Sequence, residues 1–279
     1  MSNLFLAKIS IEKSEQLVFT DCCKYILAQN VFPQAKSLAD LLLAIKPSEF
    51  SVALDKALPD DFQYLDLIED QHIFATGCTF EWSQEKVKLT ADSDVYKKIY
   101  LSERSMFFYK GTRENMSTSV KPIGLRIDSK LTIPEAEIVV IFNSEGKIIG
   151  HTIGNDVTAV DIEKENPLFQ AQAKFYYGSV ALLPMIKIGS VLPETNVTCR
   201  VVRNSLCIAE TSYHTENFNR NTQTIVNQLR ALGVTTNGGF LFLGCGASYP
   251  KDKGLIPNDI VIIQADFLPV KLQSTCNFI

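Results

Sequence analysis

Between residues 132 and 161 the chain reads TIPEAEIVVIFNSEGKIIGHTIGNDVTAVD. Glu135 and Glu137 stand one residue apart at the head of an apolar run, and Asp156 closes a second apolar run beyond a turn. Alternate residues of a strand share a face, so both glutamates point the same way if this run is extended. A hairpin with a two-residue loop at Glu145-Gly146 sets Asp156 opposite Glu135, and three acids then crowd one side of a sheet. A three-residue loop shifts that register by one, and a bulge restores it. Clustered carboxylates repel one another unless a cation compensates. Oxygen ligands with open positions suit a hard divalent ion: Mg²⁺, Mn²⁺ or Ca²⁺. The competing reading is a solvated strand face, weakened here because a run apolar on both sides implies a covered sheet.

Other chemistry finds less support. No G-x-S-x-G, P-loop or G-x-G-x-x-G pattern is present. The seven cysteines (Cys22, Cys23, Cys78, Cys199, Cys207, Cys245 and Cys276) are odd in number, irregular in spacing and contain no CxxC pair. Reduced thiols in a cytoplasmic protein are the simplest reading, with neither a disulfide framework nor a zinc knuckle. Cys245 lacks a convincing histidine partner for a nucleophilic role. His214, just before a helix, reads as a capping or packing residue ahead of a general base, and His72 as structural. The NVT at Asn196 matches a glycosylation sequon, but no secretory leader pattern accompanies it.

These side chains need a β-rich frame. The sequence has 279 residues, 46% of them hydrophobic, and a formal net charge of -4. Mixed charge of this kind argues against a nucleic-acid partner held on a basic face, and no window has the apolar length of a membrane span. Residues 1–70 carry two helix-like segments, 15–29 and 35–45, punctuated by Pro33, Pro47 and Pro59, and read as a small N-terminal domain. From His72 onward short strands dominate: HIFATG, IVVIF, a hairpin turning at Asn204-Ser205, and DIVIIQADF near the end. One clear helix over 215–232 has an apolar stripe of Phe218, Ile225, Leu229 and Leu232, with Gly233 placed to end it. Many strands with one good helix predict an α+β, β-rich domain over 71–279. The polar segment 86–119 is poorly patterned and has the character of a lid or loop.

The run IPEAEIVVIFNSEGKIIGHTIGNDVTAVDIEKENPLFQAQAK, residues 133–174, resembles the fumarylacetoacetate hydrolase family, whose pattern is PE-x-E, GY-x-IGNDVS-A-RD and Q-x-K. Its ENPL…QAK portion is similar to the branch that dehydrates 2-keto-3-deoxy sugar acids of the arabonate type. Fainter likenesses flank it: GCTFEW to that branch's G-x-SYE, FFYKGT to FFKAT, and GCGASYPKDKGL to GT-x…P…DKGL. The resemblance implies the family's C-terminal-domain β-roll or sandwich with a small N-terminal domain. It implies that Glu135, Glu137 and Asp156 bind Mg²⁺, that Lys174 is the catalytic lysine, and that Thr79, Phe80, Lys110, Gln172 and Cys245 contact substrate. The substrate class it implies is a small 2-keto acid, handled through a metal-stabilised enolate. A homodimer or higher even homo-oligomer is also implied.

Departures from the pattern bear on the reaction. The branch places a glutamate in RPE-x-FF; counted without gaps from Lys110, that position is Met106, which cannot transfer a proton. Glu103 and Glu81 lie nearby in sequence. The family threonine of GT is Cys245, a weaker donor; the arginine of S-A-RD is Val160; the tyrosine before TIGND is His151. Dehydration of a 2-keto-3-deoxy sugar acid is the leading expectation. C–C hydrolysis or decarboxylation of a β-keto or acylpyruvate-type acid is the alternative, and a non-catalytic keto-acid-binding relative is the third.

Overall fold

The computed structural model describes residues 4–11, 13–81, 93–118 and 121–279. Its centre is the strand Ala136–Phe142, AEIVVIF, buried at every position, and its antiparallel partner Ile148–Asp156, also buried throughout. The register runs from Ala136 opposite Asn155 to Ile141 opposite Gly150, then slips so that Phe142 faces Ile148. The connection is the odd-length version of the turn. Asn143 N–H donates to Lys147 O at 3.0 Å and Gly146 N–H to Asn143 O at 2.9 Å, with Gly146 at φ +80°. The bulge at Ile149 absorbs the extra residue, and Glu135 regains its place against Asp156.

On its other side Ala136–Phe142 pairs with Gly239–Phe242, which lies parallel to His72–Ala75, and the strand Phe108–Gly111 forms that edge. Beyond Ile148–Asp156 come Met185–Ile188, Phe5–Ile11, Ser14–Thr20, Lys24–Leu27 and Lys56–Ala57, all in the same 13-stranded sheet. A second sheet of five strands orders Leu206–His214, Asn196–Arg203, Ile260–Ala265, Leu272–Phe278 and Ile123–Leu125.

The continuous apolar run of the central strand follows from cover on both faces. Ile138, Val140 and Phe142 join a core with Cys199, Val201, Val261 and Ile263 of the second sheet and with Ile225, Val226 and Leu229 of the helix Thr222–Arg230. Val139 and Ile141 face the opposite way, into a core closed by Leu38, Leu41 and Leu42 of the helix Leu38–Ala44.

The hairpin at Asn204-Ser205 forms as expected, with both residues at positive φ, 50° and 65°. The segment 35–45 contains the helix Leu38–Ala44, started by a Ser37–Asp40 capping box. The helix expected over 15–29 is instead the two strands Ser14–Thr20 and Lys24–Leu27. The cause is a tight turn. Asp21 Oδ1 accepts the N–H groups of Cys23 and Lys24 at 2.9 and 2.7 Å, and Cys22 takes φ +74°, which breaks any helix there. The helix expected over 215–232 is shorter. Thr215–Asn217 is a 3-10 turn, Asn221 caps Thr222–Arg230, and Gly233 at φ +73° follows its end. Within 86–119 the helix Ser93–Leu101 and the strand Phe108–Gly111 appear; residues 86–92 and 119 lie outside the described residues.

Candidate active site

Glu135 precedes the central strand, Glu137 is its second residue, and Asp156 ends the partner strand. The backbone ties the pair: Asp156 N–H donates to Glu135 O at 2.8 Å. One carboxylate oxygen from each of Glu135, Glu137 and Asp156 lies within 4.8 Å of the others. Glu137 and Asp156 are 2% and 1% exposed, while Glu135 is half-buried at the mouth. Neighbours fix the carboxylates. Thr158 Oγ1 donates to Glu135 Oε2 at 2.8 Å, and Asn155 Oδ1 accepts the Glu135 N–H at 3.0 Å. Gly244 N–H donates to Glu137 Oε2 at 2.8 Å. Gly244 stands at φ +93°, and a Cβ there would meet Thr79 Oγ1 at 2.7 Å, so the position requires glycine.

Two lysines reach the acids. Lys174 ends the helix Gln170–Lys174; its Nζ donates to Asp156 Oδ2 at 2.9 Å and to Glu135 Oε2, with the Phe108 ring 5.5 Å away. Lys110, from the edge strand Phe108–Gly111, places Nζ 2.6 Å from Asp156 Oδ1 and donates to Val157 O at 3.0 Å and to Lys174 O. Burial alone disfavours charge on Lys174, but Asp156 and Glu135 outweigh it and hold the ammonium well above its usual range. Burial pushes Lys110 down to about 8, against the pull of Asp156. Burial and then Asp156 push Glu137 well above the carboxylate range. With all three acids ionised, the carboxylates would outnumber the two ammoniums and leave the cluster short of positive charge. A divalent cation fits this donor set: hard oxygens, clustered and otherwise crowded by like charge.

The other expected residues fall into different settings. Thr79 is buried, and its hydroxyl donates to Leu243 O. The Phe80 ring is 1% exposed and stands edge-on to Tyr213 and Phe218, with centroids 5.0 and 5.3 Å away. Gln172 is exposed on the Lys174 helix, and its carbonyl accepts from Arg126 Nη1 at 2.7 Å. Cys245 is half-buried, its thiol donating to Ala247 O at 3.2 Å, and burial raises the thiol well above its usual range. Met106 is half-buried, its Sδ 3.5 Å from where a Cβ on Gly77 would stand. Glu81 and Glu103 are exposed. His214 caps the turn Thr215–Asn217, Nδ1 accepting Glu216 N–H at 3.3 Å; His72 Nδ1 lies 3.0 Å from Tyr109 Oη. Thr158 and Asn155 escaped the sequence reading, although both flank Asp156 in the motif itself, a usable signal. Gly244 lies in the GCG segment likened above to the family's GT motif, but its N–H contact with Glu137 was not foreseen.

No family model matches the chain. It is 31% identical over 212 residues to the 2-dehydro-3-deoxy-D-arabinonate dehydratase of Saccharolobus solfataricus, covering 73% of this chain and 71% of that protein. It is 31% identical over 153 residues to a probable 2-keto-3-deoxyxylonate dehydratase of Haloferax volcanii, 54% and 51% of the two chains. Among solved structures, 2-keto-3-deoxy-D-arabinonate dehydratase complexed with magnesium and 2,5-dioxopentanoate superposes with a TM-score of 0.82 at 24% identity, covering 99% of each chain. Fumarylacetoacetate hydrolase from the psychrophilic Exiguobacterium antarcticum gives 0.68 at 16% identity over 99% of this chain and 100% of that one. These structural likenesses bear out the expected β-rich fold. The 31% identity to the Saccharolobus enzyme over most of both chains makes this chain a member of the 2-keto-3-deoxy sugar acid dehydratase family, on the fold it shares with fumarylacetoacetate hydrolase.

Proposed function

We propose that the protein is a Mg²⁺-dependent hydro-lyase that dehydrates a 2-keto-3-deoxypentonate. The observation that carries this is Lys174 Nζ set against two of the three clustered carboxylates, Glu135 and Asp156. The dehydratase identity of the curated relatives supports the reaction class. Their two named substrates converge chemically: an oxo group at C2 and a methylene at C3 erase the centres that distinguish arabinonate from xylonate, leaving C4 alone.

Glu135, Glu137 and Asp156 would hold the metal, which supplies Lewis-acid charge beside the 2-keto group. The protons at C3 flank that ketone. Sharing Glu135 and Asp156 with the metal would weaken the pull that holds Lys174 charged, so its amine can take the C3 proton, and the ammonium so formed stabilises negative charge that develops on the substrate. The C4 hydroxyl leaves as water, a proton shift from C5 to C3 then leaves a C4–C5 enol, and that enol ketonises by passing its hydroxyl proton to C4, which gives the C5 aldehyde. Thr79 Oγ1 lies against Gly244, next in sequence to Cys245, which supports a shared substrate wall, and Gln172 stands two residues before Lys174 in the same helix. The burial of Glu137 and Asp156 keeps bulk water from the carboxylates. Seven free thiols support a cytoplasmic setting. The exposed Tyr109 and Phe175 rings, 5.3 Å apart, support the even homo-oligomer.

The test is direct. Purified protein, stripped with EDTA and reloaded with Mg²⁺, is given 2-keto-3-deoxy-D-pentonate and followed by proton NMR. Formation of 2,5-dioxopentanoate only with Mg²⁺ is expected. Binding without turnover would favour the non-catalytic reading, and absence of both would overturn the proposal.

A further inference from the structure

We infer that Lys110 is a positioning residue of this site rather than a substrate contact: its ammonium locks the Asp156 carboxylate to the carboxyl end of the Lys174 helix. The inference rests on the dehydratase reading above. Lys110 is 0% exposed. A lysine ammonium has three donors and no acceptor. Here three oxygens surround it: Val157 O and Lys174 O accept its protons, and Asp156 Oδ1 lies 2.6 Å away as its ion-pair partner. A substrate oxygen would have to displace one of them.

These oxygens explain what the residue does. Asp156 Oδ1 is held by Lys110 while Asp156 Oδ2 faces Lys174, so the carboxylate cannot rotate between the two. Val157 O belongs to the next residue along the chain. Lys174 O belongs to the last residue of the short helix that delivers the second lysine. One ammonium thus joins the strand that carries a candidate metal ligand to the helix that carries the proton-exchanging group.

The backbone is shaped to deliver it. Tyr109 faces Phe74 but Gly111 faces Ile73, so Lys110 is the extra residue of a β-bulge, a device that re-aims a side chain. Gly111 sits at φ +136°, where a Cβ would collide with the Asn115 side chain. That side chain clasps the bulge, Asn115 Nδ2 donating to Lys110 O at 3.1 Å and Oδ1 accepting Thr112 N–H at 2.8 Å.

The experiment compares wild type, Lys110→Met and Lys110→Arg in steady state at saturating Mg²⁺ with 2-keto-3-deoxy-D-pentonate. Loss of an outer partner of a metal ligand costs about 10- to 100-fold, so kcat should fall by that order in Lys110→Met while KM stays within about 3-fold. A rise in KM of about 10-fold with kcat held would mark a substrate contact and overturn the inference, as would unchanged kinetics. A second measurement needs no Lys110 variant. In wild type labelled with ¹⁵N-lysine, with signals assigned against Lys174→Met, the Lys110 ammonium protons should exchange slowly with solvent, with or without pyruvate. Fast exchange, or protection that disappears when pyruvate binds, would overturn the positioning role. This second readout remains decisive even if wild type shows no Mg²⁺-dependent turnover, a result that would sink the dehydratase reading alone.

Discussion

Glu137 concentrates the conflict between stability and chemistry. It is 2% exposed, beside Asp156 and Glu135, and one backbone N–H, from Gly244, reaches its Oε2. A carboxylate in that position is costly without a cation. Glu137→Gln keeps the shape, and its amide oxygen can still accept from Gly244. In EDTA the variant should be more stable than wild type by roughly 1–2 kcal/mol, about 2–8 °C in Tm for a chain of this size. Wild type should gain stability on adding Mg²⁺, because a ligand that binds only the folded state stabilises it; the variant should gain little. Thermal melts with and without Mg²⁺ measure both, and an equal Mg²⁺ response in the two proteins would remove Glu137 from the ligand set. The two glutamates were legible because strand geometry has period two, while the place of Asp156 depended on which turn and bulge the hairpin adopts, alternatives that the sequence left open. The groups that restrain these acids were less legible. Gly244 N–H and the burial of Lys110 depend on contacts across more than a hundred and nearly fifty residues respectively, which local pattern does not encode.

At the scale of elements, bulges decide what counting along the chain can reveal. The odd turn at Asn143–Lys147 would have put Asp156 on the wrong face, and the bulge at Ile149 reverses that. The bulge at Lys110 has the opposite effect on the reading. FFYKGT is one residue longer than FFKAT, so counting upstream from Lys110 crosses the insertion and lands on Met106. Counted from Phe107-Phe108 instead, the glutamate position of RPE-x-FF falls on Ser105, which is buried and whose N–H donates to Gln228 Oε1 at 2.8 Å. Neither residue is a carboxylic acid, so the departure from the pattern stands in either register.

Elements also explain why two arginines of one hairpin differ. Arg203 donates from Nε and Nη2 to Asp259 at 2.8 Å each, and from Nη2 to Gly254 O at 2.8 Å; the Asp259 side chain is 0% exposed. The next residue, Leu255, donates to Thr132 O, so this clamp supports the strand leading to Glu135. Arg200 pairs with Glu210 at 2.7 Å, but both are exposed. Arg203→Met should cost about 3–5 kcal/mol by leaving a buried carboxylate without its cation, with the Ile256 N–H still donating to it at 2.9 Å. Arg200→Met should cost under about 1 kcal/mol. Urea denaturation of both variants checks the contrast, and similar losses would refute the clamp.

Across the whole molecule, the first seventy residues bear on the site through the sheet. Phe5–Ile11 pairs with Met185–Ile188, which pairs in turn with the Asp156 strand. Leu38, Leu41 and Leu42 cover the face of the central strand formed by Val139 and Ile141. The composition break near residue 70 was visible in the sequence, but strand pairing between residues 5 and 187 was not, because each partner reads locally as an ordinary apolar run. Without residues 1–70, Met185–Ile188 would lose its outer neighbour and expose an unpaired edge, and Val139, Ile141 and Ile149 would lose their helical cover. The fragment 71–279 should therefore fail to unfold cooperatively in urea, and should gain no stability from Mg²⁺, whereas the full chain does both. The opposite result, a fragment with a sharp transition and a Mg²⁺-dependent midpoint, would mean that the N-terminal segment is a detachable domain and that the carboxylate hairpin is held by the second sheet alone.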